Sequence, residues 1–222
     1  GKILTKNIRE DHQNLPLVVF GHSMGSFVAQ EFIIKYGNLI DGVILSGTAQ
    51  KDGLDLLGGY ILAKIQSILL GRKHPAKLLD NLSFAGNNDR IDNPRTKSAW
   101  LSRDTESVKK YDDDKYCGTL FPVGFYHDFF GGLLKLYKKD RLENIPKDLP
   151  IYIFAGDADP VGDYGESVKK LYDTYKKVGI KNLKIKLYKD GRHEMLNELN
   201  NDDVYREILQ WLNQNINKEV KG

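Results

Sequence analysis

A serine stands between glycines placed two residues before it and two after it, in Gly21-His22-Ser23-Met24-Gly25, directly behind the apolar run Leu17-Val18-Val19-Phe20. A strand that turns sharply into a helix can hold such a serine out as a nucleophile. The turn forces the backbone close to its neighbours, so side chains at positions 21 and 25 are expected to collide there. Glycine removes the collision and also reaches backbone angles that other residues avoid. A helical pattern follows over residues 26–36, as the turn requires. The hydroxyl alone is a weak nucleophile. It needs a histidine to take its proton and a carboxylate to fix that histidine's tautomer.

In the hydrolase arrangement that this Gly-x-Ser-x-Gly turn resembles, the partners follow the serine in the order carboxylate, then histidine, on loops at the carboxyl ends of strands. The chain has 5 histidines. His12 and His22 precede the serine, and His74 and His127 lie in the middle segment. Only His193 follows a late strand-like run, Leu183-Lys184-Ile185-Lys186-Leu187-Tyr188, in a turn-like spot before a final helix. For the carboxylate, the run 149–155 leads into Gly156-Asp157-Ala158-Asp159-Pro160-Val161. Asp157, nearest the strand end, suits a local turn. Asp159, deeper in the loop and before a stiffening proline, is the preferred partner for His193.

These residues need a scaffold of alternating elements, which argues for a mostly parallel sheet. Expected strands cover 17–20, 42–46, 149–155 and 183–188, and expected helices cover 2–12, 25–36, 165–179 and 202–217. The first strand is apolar throughout, the pattern of a strand buried on both faces. Residues 50–146 hold no convincing strand and are read as a helical cap inserted into a core of 1–49 and 147–222. Within it, Leu54, Leu57, Ile61, Ile65, Ile68 and Leu69 recur at helical spacing. Packing against the sheet or the rest of the cap is the expected use of this stripe, with an acyl-chain tunnel or a lipid interface as the alternative. Phe121, Phe125, Tyr126, Phe129 and Phe130 form a second apolar cluster, and His127 among them is expected to be hydrogen-bonded within the cap.

The charge balance of 33 Lys+Arg against 30 Asp+Glu points to no nucleic-acid partner, because the lysines are scattered. A transient contact with an anionic membrane surface stays open. One cysteine excludes an internal disulfide framework, and Cys117 is expected to be a partly buried thiol. No membrane span of sufficient length is visible, which makes a cytoplasmic location the default, with a signal sequence left open. Asp112-Asp113-Asp114 lacks the ordered spacing of a calcium loop, and Gly131-Gly132 lacks the lysine and serine of a phosphate loop. No metal and no cofactor is expected.

Gly21 to Ser26, Gly156 to Val161 and Arg192-His193-Glu194-Met195-Leu196-Asn197-Glu198 resemble the bacterial lysophospholipase and monoacylglycerol-lipase-like branch of the α/β-hydrolases, also described as serine-aminopeptidase-like. Trp100-Leu101-Ser102-Arg103-Asp104, Cys117-Gly118 and Gly124-Phe125 resemble the cap of that branch. The likeness covers nearly the whole chain. It implies an α/β-hydrolase fold with helices on both faces of the sheet, a Ser23–His193–Asp159 triad and an acyl-enzyme. The expected substrate is a lysophospholipid, a monoacylglycerol or a similar short acyl ester. The Met24 amide is expected to donate to the oxyanion, and His22, Phe121 and Phe125 to touch the substrate. Glu194 and Glu198 are expected to buttress the His193 loop, with Arg192 paired to one of them. Peptide or small-ester cleavage, a non-catalytic binding module and, last, carbon–carbon hydrolysis or dehalogenation are the alternatives. Relatives carry further strands before the nucleophile and a second oxyanion donor on a loop there. The chain is therefore expected to be a piece of a longer one that lacks the N-terminal part of the sheet.

Overall fold

The computed structural model describes residues 1–216. Four strands, β1 (Val18–His22), β2 (Gly42–Ser46), β3 (Ile151–Gly156) and β4 (Leu183–Tyr188), form one parallel sheet in that order. The helices are α1 (Lys2–Asp11), α2 (Met24–Tyr36), α3 (Leu54–Leu69), α4 (Lys77–Phe84), α5 (Thr105–Asp113), α6 (Val123–Leu136), α7 (Lys139–Leu142), α8 (Glu166–Lys177) and α9 (Asn201–Asn215).

The two inner strands are buried at every residue, as expected where helices cover both faces. Successive side chains point to opposite faces. Val43, Leu45, Ile151 and Ile153 therefore join Phe27 and Ile33 of α2 and Leu171 and Tyr175 of α8. Ile44, Tyr152 and Phe154 pack on the other side against Val204 and Trp211 of α9. The outer strands differ. β4 alternates, with Lys184 and Lys186 both reaching Glu207 of α9, at 3.4 and 3.0 Å. Lysines along a sheet edge discourage further pairing. β1 is half-buried rather than buried on both faces, and Phe20 is 42% exposed. The reason is that β1 pairs with β2 alone among the described strands.

The strands expected at 42–46 and 183–188 fall at those bounds, and the expected 17–20 is displaced to Val18–His22. The expected helix 202–217 is found as Asn201–Asn215, and residue 217 lies outside the described residues. Between β2 and β3 run α3 to α7, with an isolated bridge between Pro75 and Pro122. One expectation about this segment is overturned. The stripe Leu54, Leu57, Ile61, Ile65, Ile68 and Leu69 is exposed, at 84, 41, 48, 48, 74 and 75%. The small residues decide which side of α3 packs. Ala63 is fully buried, Gly59 lies against the Phe130 ring, and Gly131 of α6 lies against Tyr60. Close helix approach uses that thin side, and the large aliphatic side chains are left facing out.

Candidate active site

The carboxyl ends of the strands carry the serine, the aspartate and the histidine. Ser23 follows β1, Asp159 follows β3 and His193 follows β4. Ser23 has φ 51° and ψ −124°, a conformation rare for a residue with a side chain. Such strain costs about 1–3 kcal/mol and persists only where the surroundings over-determine it. Here the Ser23 N–H donates to the Ser46 carbonyl at 2.9 Å. The Ser26 N–H and Ser26 hydroxyl both donate to the Ser23 carbonyl, at 2.9 and 2.6 Å. Ser26 Oγ also lies 2.8 Å from Thr48 Oγ1, which accepts from Gln30 Nε2 at 2.9 Å. The tight turn explains Gly21, where a Cβ would come within 2.6 Å of the Gly25 carbonyl oxygen and 2.8 Å of Ser26 Cα. It does not explain Gly25: a Cβ there would meet nothing within 4 Å, so the collision expected at both glycines occurs at one.

A second close approach joins the other two loops. A Cβ on Gly156 would lie 1.8 Å from the Gly191 carbonyl oxygen and 2.5 Å from that of Arg192. The end of β3 therefore touches the backbone just before His193. Asp157 serves this junction, its carboxylate accepting from the Asp190 N–H at 2.7 Å, which is the turn role open to it from sequence. Asp159 takes the other role. Its Oδ2 lies 2.9 Å from His193 Nδ1, and its Oδ1 accepts from the Val161 N–H at 2.8 Å. Both side chains are buried. Nε2 of His193 is also buried and has no hydrogen-bond partner among the described residues, so no bond to Ser23 Oγ is formed.

Two rings flank His193, that of His22 and that of Trp100, each with centroids 4.9 Å away. His22 adjoins Ser23, and its Nδ1 lies 3.2 Å from Ser46 Oγ. Burial first, and the neighbouring His193 second, push the His22 imidazole down to about 4. It is therefore neutral near pH 7. Met24 is the first residue of α2 and 41% exposed. The first N–H groups of a helix lack intrahelical partners, and the helix dipole favours negative charge beside them.

The loops are braced from the insertion. The expected pairing of the Arg192 guanidinium with Glu194 or Glu198 is not found; it donates instead to the carbonyls of Ala99 and Ser102 at 2.7 and 3.0 Å. Its backbone N–H donates to Glu198. Glu194 is half-buried and accepts from Asn197 Nδ2. Two contributors escaped the sequence reading. The Arg90 guanidinium lies 3.5 Å from the centroid of Tyr164, in the Asp159 loop. Burial pushes the Lys51 ammonium down, opposed by the carboxylates of Asp159 and Asp163. Nothing local in the sequence signals either contact.

Phe121 and Phe125 stack at 4.2 Å, Phe125 stacks on Phe129 at 5.7 Å, and Phe129 meets Phe27 edge-on at 5.8 Å. Phe27 lies four residues beyond Ser23, so the file of rings starts one helical turn from the serine and ends at Phe121, 39% exposed. His127 stacks on Tyr60 and lies 3.3 Å from Arg72 Nη1, within the insertion as expected. A cavity of about 690 Å³ opens between α2, α6 and α7 and is lined by Phe27, Phe129 and Tyr60. Ser23, Asp159 and His193 do not line it.

Residues 2–200 match the family model described as serine aminopeptidase, S33. No match was found among curated protein sequences. Among solved structures, a highly thermostable carboxyl esterase from Bacillus coagulans, in complex with glycerol, is 28% identical with a TM-score of 0.85. The match covers 97% of this chain and 70% of that one. A lipase in its open form is 26% identical, with a TM-score of 0.81 and the same coverage of 97% and 70%. A soluble variant of monoglyceride lipase from Saccharomyces cerevisiae, in complex with a substrate analog, has a TM-score of 0.72 over 98% of this chain and 68% of that one. At 22% identity that likeness speaks for the fold. With a parallel sheet, a strained serine after β1 and a buried histidine–carboxylate pair after β3 and β4, the chain belongs to the serine aminopeptidase S33 family of esterase- and lipase-like α/β-hydrolases.

Proposed function

We propose that this chain hydrolyses carboxylic esters of lipid type, lysophospholipids or monoacylglycerols, through Ser23, His193 and Asp159. The contact that carries the reading is the buried His193 Nδ1–Asp159 Oδ2 pair at 2.9 Å. With Nδ1 held by the carboxylate, Nε2 is left with its lone pair to act as base. Ser23 Oγ attacks the ester carbonyl as Nε2 takes its proton, and the leaving alcohol departs with that proton. Water then attacks the acyl-enzyme, losing a proton to Nε2, and the carboxylic acid leaves as Ser23 is reprotonated. The Met24 N–H stabilises the oxyanion, a contribution worth about 10²–10³ in turnover for one donor. The missing bond between Nε2 and Ser23 Oγ fits a resting site, since catalytic hydrogen bonds are often loose before substrate binds.

Three features support a fatty acyl substrate. The rings of Phe27, Phe129, Phe125 and Phe121 form an unbroken apolar file that begins one helical turn beyond the serine, and His22 is neutral beside Ser23. The exposed stripe of α3 is followed by Lys73 and Lys77, both exposed. An apolar face with basic residues at its rim suits a lipid–water interface. The test is a hydrolysis panel of acylglycerols, lysophospholipids, short esters and aminoacyl amides, with Ser23→Ala as control. Lysolipid or acylglycerol turnover that vanishes in Ser23→Ala supports the reading. Turnover of aminoacyl amides alone contradicts the substrate class.

A further inference from the structure

We propose that Glu198 is a positioning residue for His193, acting by tying the histidine loop to residues 99–104 of the insertion. The inference rests on the catalytic reading given above and deepens it. The Glu198 side chain is fully buried, and its carboxylate accepts four N–H groups. Oε1 takes those of Arg103 at 3.0 Å and Arg192 at 2.9 Å. Oε2 takes Arg103 Nε at 2.8 Å and the Leu199 N–H at 3.0 Å. The loop replies in kind. Besides the Arg192 guanidinium, the Glu194 N–H donates to the Leu101 carbonyl at 2.7 Å. Ser102 Oγ donates to the Asn197 carbonyl at 2.8 Å, and Arg103 Nη2 to Asn200 Oδ1 at 2.8 Å.

These bonds fall on the residues immediately before and after His193. They also fix the segment that carries Trp100, whose ring packs on the imidazole and is itself stacked on Phe84 at 6.0 Å. Asp159 restrains Nδ1, but a single hydrogen bond leaves the ring free to swing about it. The Trp100 face removes that freedom, and Glu198 sets where that face stands. A buried carboxylate is retained at a cost unless its partners are complete, and here they are. An ionised carboxylate offers about four lone-pair sites, and glutamine cannot replace it, because its NH₂ would face N–H donors.

The test uses the wild-type chain, Glu198→Gln and Arg103→Gln. The readouts are steady-state kinetics, the rate of fluorophosphonate labelling, and the downfield proton resonance of His193 Nδ1–H. For folded Glu198→Gln, kcat is expected to fall about 10–100-fold with KM within about 2-fold, since a misplacement near 1 Å costs rate rather than binding. Labelling is expected to slow in parallel, and the resonance to shift or broaden. A folded variant with unchanged kcat and resonance overturns the inference. If Glu198→Gln does not fold, Arg103→Gln decides: reduced kcat with a perturbed resonance supports the inference, and wild-type behaviour overturns it. A wild-type chain that is not labelled counts against the catalytic reading itself and is separable from these outcomes.

Discussion

Gly21 and Gly25 look equivalent in the motif and are not equivalent in space. Alanine at 21 would drive a methyl into the Gly25 carbonyl and Ser26 Cα, and backbone atoms there cannot move aside. Gly21→Ala is expected to destabilise by about 3 kcal/mol, the upper range of overpacking. Gly25→Ala, in open space within α2, is expected to stabilise by about 0.5–1 kcal/mol through lost unfolded-state freedom. Urea titration of both variants checks the pair. His22 carries a pH signature. Its folded-state value, about 4, lies below the ordinary 6.5, so folding favours the neutral form. Between those two values the unfolded chain binds the proton and the folded chain does not, so stability falls as pH drops through that window. The full effect is on the order of 3 kcal/mol. His22→Asn is expected to flatten the slope of unfolding free energy between pH 6.5 and 4. An unchanged slope would mean that His22 already titrates normally.

At the scale of elements, what could be read from sequence followed the strength of local patterns. The run 42–46 is apolar between turn residues and the run 183–188 alternates, so both strands were found at their bounds. Asp159 was separable from Asp157 because the proline after it marks a loop rather than a strand-end turn. The outward face of α3 was not legible. Helical periodicity locates a stripe but does not say which side packs, and Gly59 and Ala63 decided it by admitting α6. The contacts of Arg103 with Glu198 span 95 residues and have no local signature at all. The exposed stripe yields a direct test. Replacing Ile61, Ile65 and Ile68 together by serine is expected to change the unfolding free energy by no more than about 1.5 kcal/mol, about 0.5 for each surface change. Binding to anionic vesicles is expected to weaken severalfold in a sedimentation assay. Unaltered vesicle binding would remove the stripe as a lipid contact.

Across the whole molecule, one rule of parallel sheets organises the chemistry. Ligands and reacting groups gather beyond the carboxyl ends of the strands. Three loops there hold a serine, an aspartate and a histidine, with the insertion between β2 and β3 bracing two of them. The far face of the sheet carries its own apolar cluster. Trp211 is buried against Tyr152 at 5.8 Å, and Trp211→Ala is expected to cost about 3–5 kcal/mol in urea titration while leaving kcat of the folded fraction unchanged. The central claim concerns Ser23 and is tested most directly by reacting the folded chain with a fluorophosphonate and mapping the adduct by peptide mass spectrometry. One adduct per chain on Ser23, lost in His193→Ala, is the expected result. A folded chain that stays unmodified at Ser23, or carries its adduct elsewhere, would contradict it.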